Sequence, residues 1–262
     1  MNNIPLPDPS KRQIADMGLF DHLHELRYRL IVMFISVAIA AGISYSFSAQ
    51  VLDVLFQPFY LNFDKGMLIG TGPAEAFLLK IKVAVFCGLL LSSPVLFLQL
   101  WLFIAPGLYD KERKLVIPFV LSTTLLFLLG VSFCYQFVLP TAFQFFKQQY
   151  DSLGKVTPAI RVEEHLSLIL QGLIGFGAVF EMPIIAFFLG RIGLIDHKMM
   201  ISGFRYAVVI IFIVAAILTP PDICSQFLMA VPLVGLYCLS ILIVKYTAQK
   251  PLSTSEVNNG TK

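Results

Sequence analysis

Three acidic residues of this 262-residue chain stand where a carboxylate has chemistry open to it. Glu25 follows His22-Leu23-His24 and has Arg29 four residues on. Glu112 lies in the polar run Tyr109-Asp110-Lys111-Glu112-Arg113-Lys114. Glu181 is alone in the apolar stretch 166–190, with Pro183 two residues behind it. Taken singly, Glu25 and Arg29 read as a helical i,i+4 ion pair worth about 0.2–0.5 kcal/mol, and Glu112 reads as a solvated charge. Taken together, two carboxylates at one membrane face can each hold a guanidinium through two parallel hydrogen bonds, which lysine cannot reproduce. Such a pair suits an incoming peptide that bears two arginines. Glu181 is a different case. A charged group at bilayer depth costs about 2.5–3.5 kcal/mol on insertion scales, so a site facing the bundle or a wet cavity is expected. The plainer alternative is a protonated side chain that glues two helices together.

Other chemistry finds little support. His24-Glu25 begins an H-E pair, but position 28 is Tyr, so no HExxH zinc motif exists. Gly172, Gly175 and Gly177 have the wrong order and context for a dinucleotide loop, and no GxxxxGK[ST] phosphate loop occurs. No Ser-His or paired-Asp protease pattern stands out. Cys87, Cys134, Cys224 and Cys238 all fall in apolar runs without CxxC spacing, which reads as packing rather than disulfides or metal ligation. The chain is therefore expected to be no enzyme, with no cofactor and no metal. Any work must draw on a membrane gradient or a partner.

The elements that position these residues follow from composition. Apolar residues make up 57% of the chain and charged ones 13%, where a soluble domain carries about 25% charge. The mean hydropathy is +0.81. The 24 Phe residues exclude a disordered chain, and a net charge of +3 spread along the whole length offers no basic face for nucleic acid. What remains is an all-α polytopic membrane protein, a single integral membrane domain over 1–262. Uncharged runs at 30–52, 83–109, 115–146, 166–190 across Glu181, 206–221 and 223–244 mark the bilayer crossings. A crossing takes about 20 apolar residues. Six spans are predicted, at about 30–50, 78–103, 115–138, 165–190, 205–219 and 223–244. The fifth is short, and the bilayer around it is expected to thin.

Positive charge sets the orientation. With the N-terminus inside, the cytoplasmic segments hold Lys11, Arg12, Arg27, Arg29, Lys111, Arg113, Lys114, Arg191, Lys198, Arg205, Lys245, Lys250 and Lys262. The outer segments hold only Lys65, Lys80, Lys82, Lys147, Lys155 and Arg161, so both termini are expected in the cytoplasm. The first apolar run is too long and too deep in the chain for a signal-peptide core. Residues 1–13, with three prolines, are expected to be mobile. Residues 14–29 carry apolar positions every three or four residues, the pattern of an amphipathic helix on the cytoplasmic membrane face. Segments 48–74 and 140–164 read as outer connections, Gly154 and Pro158 arguing for loop in the second, and 247–262 as a disordered tail. Pro94 and Pro118 should bend their helices, which tends towards a concave bundle. Ser36, Ala40 and Ser44 form a small-residue stripe that admits another helix closely, most simply one of the chain's own.

Several of these residues also carry a family resemblance. The run His22-Leu23-His24-Glu25-Leu26-Arg27-Tyr28-Arg29-Leu30 resembles the amino-terminal signature of TatC, the multispanning subunit of the twin-arginine protein translocase. Gln99-Leu100-Trp101-Leu102-Phe103-Ile104-Ala105-Pro106-Gly107-Leu108-Tyr109 with Lys111-Glu112-Arg113 is similar to its first cytoplasmic loop. Phe180-Glu181-Met182-Pro183 resembles its fourth span, and Leu218-Thr219-Pro220-Pro221-Asp222 with Ser225-Gln226 its last outer turn. The motifs keep their order over about residues 21–244.

The resemblance implies six spans, both termini cytoplasmic and a concave, glove-like body in the inner membrane of a bacterium. It implies binding of the twin-arginine signal peptides of folded precursor proteins. It also implies recruitment of single-span partners of the TatA/TatB type, in an oligomeric receptor complex driven by the protonmotive force. Carried over by position, Glu25 and Glu112 would receive the signal arginines, with Phe103 and Leu108 beside them. Glu181 would face the concavity, and Thr219 and Gln226 would contact a partner helix near the outer surface. Ala216, one turn before Thr219, departs from the family pattern in offering neither a polar nor a Met side chain. The competing class is a proton-coupled secondary transporter built on Glu181. It would call for an inverted repeat, and none is visible.

Overall fold

The computed structural model describes residues 19–63, 67–104, 116–154, 156–218 and 223–247. Helix α1, Leu19–Tyr45, is followed at once by α2, Ser48–Asn62. A short strand β1, Met67–Ile69, leads into α3, Glu75–Ile104. Then come α4, Val116–Phe133, a π-helical turn at Cys134–Val138, and α5, Leu139–Ser152. Strand β2, Ala159–Arg161, precedes α6, Val162–Val179, and α7, Met182–Arg191. The short α8, His197–Ser202, is capped by Asp196 and leads to α9, Phe204–Leu218, and α10, Ile223–Thr247.

Among the described residues, five helical columns are long and apolar enough to cross a membrane: Leu23–Tyr45, Glu75–Ile104, Val116–Ser152, Val162–Arg191 and Gln226–Thr247. The sixth apolar helix, α9, has 15 residues, or about 22 Å at 1.5 Å per residue. The architecture is that of an all-α polytopic membrane protein. Its exposed faces are correspondingly apolar, with Phe34 76% and Ile217 72% exposed, as lipid-facing residues should be.

The prolines account for the breaks. Pro140 has no N–H to donate to the carbonyl four residues back, and its ring crowds that turn. The helix widens just before it, and the Leu139 N–H reaches back five residues to the Cys134 carbonyl. Pro183 likewise leaves the Val179 carbonyl without its helical donor. There α6 stops, and Phe180-Glu181 form a turn before α7 resumes. Pro94, by contrast, lies inside an unbroken α3.

Several sequence-based boundaries need correction. From residue 19, where the described residues begin, the amphipathic segment 14–29 runs without a break into the span predicted at 30–50. One helix runs from Leu19 to Tyr45, because no proline and no glycine before Gly42 interrupts it, and it ends before 50. Much of the connections 48–74 and 140–164 is helical. Segment 48–62 is helical because Leu55, Pro58 and Phe59 bury one face of it. Segment 139–152 is helical because Leu139 and Phe143 do the same. Gly154, at φ 84°, takes the chain out of this helix. The third column therefore continues past 138 to Ser152. Thr247, placed at the head of a disordered tail, closes α10. Segments 1–13 and 248–262 lie outside the described residues.

Helix α1 lies along α3, α3 against α4, α4 against α6, α7 against α10, and α10 against α9. Helix α1 approaches α3 closely, where a Cβ at Gly88 would stand 2.7 Å from the Ala41 backbone nitrogen. The small-residue stripe is thus used within the chain, with Ser44 buried and its hydroxyl donating to the Ala40 carbonyl at 2.8 Å.

At one end, α2 and α5 form a cap over the bundle, together with a two-stranded parallel ribbon in which Met67 pairs with Ala159 and Ile69 with Arg161. His165 is buried in this cap, its ring 4.9 Å from that of Phe59 and 5.1 Å from that of Phe143. The Glu75 carboxylate fastens the cap. It accepts from the Thr71 and Gly72 N–H groups and, at 3.2 Å, from the Glu163 N–H in the first turn of α6, a donor that no helical carbonyl can satisfy. Lys82–Glu163 at 2.8 Å and Arg161–Glu164 at 3.0 Å add ion pairs on the surface.

Candidate functional site

The opposite end of α3 holds the residues that the sequence marks for peptide recognition. Glu25 and Arg29 face the same side of α1, one turn apart, because residues four apart on a helix are neighbours. Glu25 Oε1 accepts from Arg29 Nε at 3.1 Å and also from Arg29 Nη2. Arg29 does not stop there. Its Nη1 donates to Gln99 Oε1 on α3 at 3.3 Å. The two ionic side chains are only 15% exposed (Arg29) and 22% exposed (Glu25), so this is not the solvated surface pair that spacing alone suggests. Glu25 Oε2 is buried and has no hydrogen-bond partner among the described residues. A carboxylate oxygen left so is costly, and a guanidinium that reaches both oxygens is its natural complement.

An aromatic cluster lies at the same end of α3. Trp101, two residues beyond Gln99 towards Ile104, is buried. It stacks on Phe119 of α4 at 4.9 Å and meets the edge of Phe188 of α7 at the same distance. Val116 and Val120 complete that cluster, with Ile104 packed against it. Phe103 is half-buried in the last turn of α3. Both ends of the connection between α3 and α4, Ile104 and Val116, are thus seated on the Trp101 cluster. Glu112 and Leu108, predicted for the same site, lie in that connection, outside the described residues.

Glu181 is placed elsewhere, at the proline-induced turn between α6 and α7. Its side chain is 7% exposed, and Oε1 has no hydrogen-bond partner among the described residues. Its carbonyl accepts from the Ile184 and Ile185 N–H groups at 3.1 and 3.0 Å, which starts α7. Phe180 and Pro183, on either side of it, help wall an apolar groove of about 490 Å³ between α4, α7 and α10. Glu181 itself is turned inward rather than lining that groove.

Gln226, predicted to meet a partner helix, donates Nε2 to the Phe212 carbonyl of α9 at 2.9 Å and so ties α9 to α10. Thr219 lies outside the described residues. The structure thus brings Glu25 and Phe103 to one end of α1 and α3 and keeps Glu181 and Gln226 apart from them, on other helices. Two participants went unassigned from sequence. Gln99 could not be found by spacing, since its contact with Arg29 joins two distant helices. Glu75 could have been suspected only from its place at the head of an apolar run. Among the described residues no group of three or more His, Cys, Asp or Glu side chains could hold a metal ion.

Residues 21–232 match the family model described as Sec-independent protein translocase protein (TatC). The Sec-independent protein translocase protein TatC of Helicobacter pylori strain J99 is 40% identical over 230 residues, covering 88% of this chain and 90% of that protein. Its counterpart in Aquifex aeolicus strain VF5 is 38% identical over 234 residues, covering 89% and 97%. The fold superposes on a crystal structure of the twin arginine translocase receptor TatC with a TM-score of 0.79 and 38% identity, covering 87% of this chain and all of that one (100%). A second crystal structure of that receptor, in the detergent DDM, gives a TM-score of 0.80 over 86% of this chain.

Proposed function

Given that this chain belongs to the TatC family of Sec-independent protein translocase proteins, we propose that it is the subunit that receives twin-arginine signal peptides. It then scaffolds single-span partners of the TatA/TatB type for export of folded proteins under the protonmotive force. Its place is the inner membrane of a bacterium, with both termini in the cytoplasm.

The observation that supports this reading best is the Glu25 cluster. A largely buried carboxylate, with one oxygen unmatched among the described residues, stands at the end of α1 and α3. It is the electrostatic complement of a guanidinium, and away from bulk water its hydrogen bonds to a charged partner strengthen. Glu112, four residues before Val116 in the chain, supplies the second carboxylate for the second arginine. Phe103 and Leu108 offer apolar surface to the peptide segment beside them. Glu181 serves as an intramembrane polar contact in the translocation step, and Thr219 and Gln226 face a partner helix. The bond to Phe212 would orient Gln226 before the partner arrives. The carrier reading is not favoured, since the family is one of protein-translocase subunits.

Glu25→Ala and Glu112→Ala test the assignment. Each is expected to weaken site-specific crosslinking of a twin-arginine peptide at least tenfold while membrane insertion and yield stay normal. Normal crosslinking in both variants would remove the site.

A further inference from the structure

Glu25 is already occupied. Its Oε1 is taken by two donors of Arg29, and its Oε2 is buried where no incoming group reaches it without rearrangement. Arg29 is in turn held from behind by Gln99 across the α1–α3 interface. A peptide arginine that approaches this site therefore meets no open carboxylate. It meets one chelated by a guanidinium of the chain itself.

We propose that Arg29 is the internal occupant of the signal-peptide site. Backed by Gln99, it keeps Glu25 closed against any cation that cannot displace a chelated guanidinium, so residues 29 and 99 set the preference for arginine over lysine. This rests on the receptor reading of Glu25 given above.

The chemistry follows from the donors each side chain carries. The closed state gives Glu25 two hydrogen bonds on one oxygen and none on the other. An arriving arginine presents a planar fork that can engage both oxygens at once, so the exchange gains a bond that the closed state lacks. A lysine ammonium is a compact, strongly hydrated point charge with no fork. It would replace the chelate of Arg29 with fewer aligned bonds and leave Arg29 to find new partners. Specificity here is a difference of affinities built by an obstacle, not only by a fit. The contact to Gln99 matters because it spends a third donor of Arg29 on a neutral acceptor. That contact fixes the guanidinium in the plane from which it covers Glu25.

The test uses the purified full-length chain in lipid nanodiscs and three fluorescent peptides. These share one apolar signal segment and carry Arg-Arg, Arg-Lys or Lys-Lys ahead of it. Dissociation constants are read by anisotropy for wild type, Arg29→Gln, Arg29→Lys, Gln99→Ala and Glu25→Gln. Wild type is expected to favour Arg-Arg over Lys-Lys by at least tenfold. In Arg29→Gln the Lys-Lys peptide should tighten and the ratio fall at least threefold. Gln99→Ala, which leaves no unpaired charge behind, should move the ratio the same way by a smaller factor, and Arg29→Lys should restore part of it. A purely structural role for Arg29 would weaken all three peptides alike and leave the ratio where it was. If Glu25→Gln abolishes binding but the ratio is unchanged in both Arg29→Gln and Gln99→Ala, the occupant role is overturned and the receptor site stands. If Glu25→Gln binds as wild type does, the receptor site falls and the occupant role falls with it.

Discussion

At the scale of single residues, burial separates Glu75 and Glu181 from more exposed acids such as Glu163 and Glu164. Glu181 is nearly as buried as a core leucine and leaves Oε1 without a partner among the described residues. Removing such a group in favour of an apolar one of similar shape is often neutral or stabilising. Glu181→Leu is therefore expected to leave the melting temperature of the detergent-purified chain unchanged or a few degrees higher. In cells it should cut export of a twin-arginine reporter by at least tenfold. A melting temperature that drops by more than about 5 °C would mean that the carboxylate holds the fold together. Gln226, which the resemblance assigns to a partner helix, already donates its amide to the Phe212 carbonyl of the same chain. Glu25 and Glu181 stand out as candidates in the sequence because a carboxylate beside or inside an apolar run is rare enough to mark itself. Arg29's second contact was not legible, because Gln99 is remote in sequence and nothing in its own neighbourhood points to residue 29.

Among the elements, proline placement and small residues decide the geometry more than propensity does. The turn at Phe180-Glu181 follows from Pro183, and the π-helical turn at Cys134–Val138 from Pro140. Both breaks were implicit in the positions of the two prolines. What those positions alone could not yield was the helicity of 48–62 and 139–152, since it comes from each burying an aromatic face against the cap rather than from length in lipid. The α1–α3 pair is tightly fitted, with Gly88 a contact point. Gly88→Val is expected to push the helices apart and destabilise the chain by about 1–3 kcal/mol, the usual range for overpacking a close-fitted interface. Differential scanning fluorimetry in detergent would measure it. The second change Ala41→Gly should rescue little, because the Ala41 backbone nitrogen and Cα, at 2.7 and 2.9 Å from the added carbon, remain in place. Full rescue would show that only the methyl group was in the way.

Across the whole molecule, α3 is a strut with a different task at each end. Glu75 fastens the cap at its start, and Gln99, 24 residues later, backs the peptide site. The two lie about 36 Å apart along a helix rising 1.5 Å per residue. Changes that far apart with no shared partner should add independently. Glu75→Ala is accordingly expected to expose segment 67–75 to protease and lower the melting temperature, while peptide affinity at Glu25 changes less than twofold. A larger loss of affinity would show that the two ends communicate through α3. The cap ribbon has one more consequence, and it concerns time. Its strands flank the whole of α3, α4 and α5, so β1 has no partner until β2 has been made. Three paired residues on each side are too few to persist alone. At ordinary synthesis rates the first strand waits on the order of ten seconds for the second. During that interval the early helices are in the membrane with their cap unlatched. The cap can therefore latch only once residue 161 has been made, while the helices from Val162 to Thr247 are still to follow.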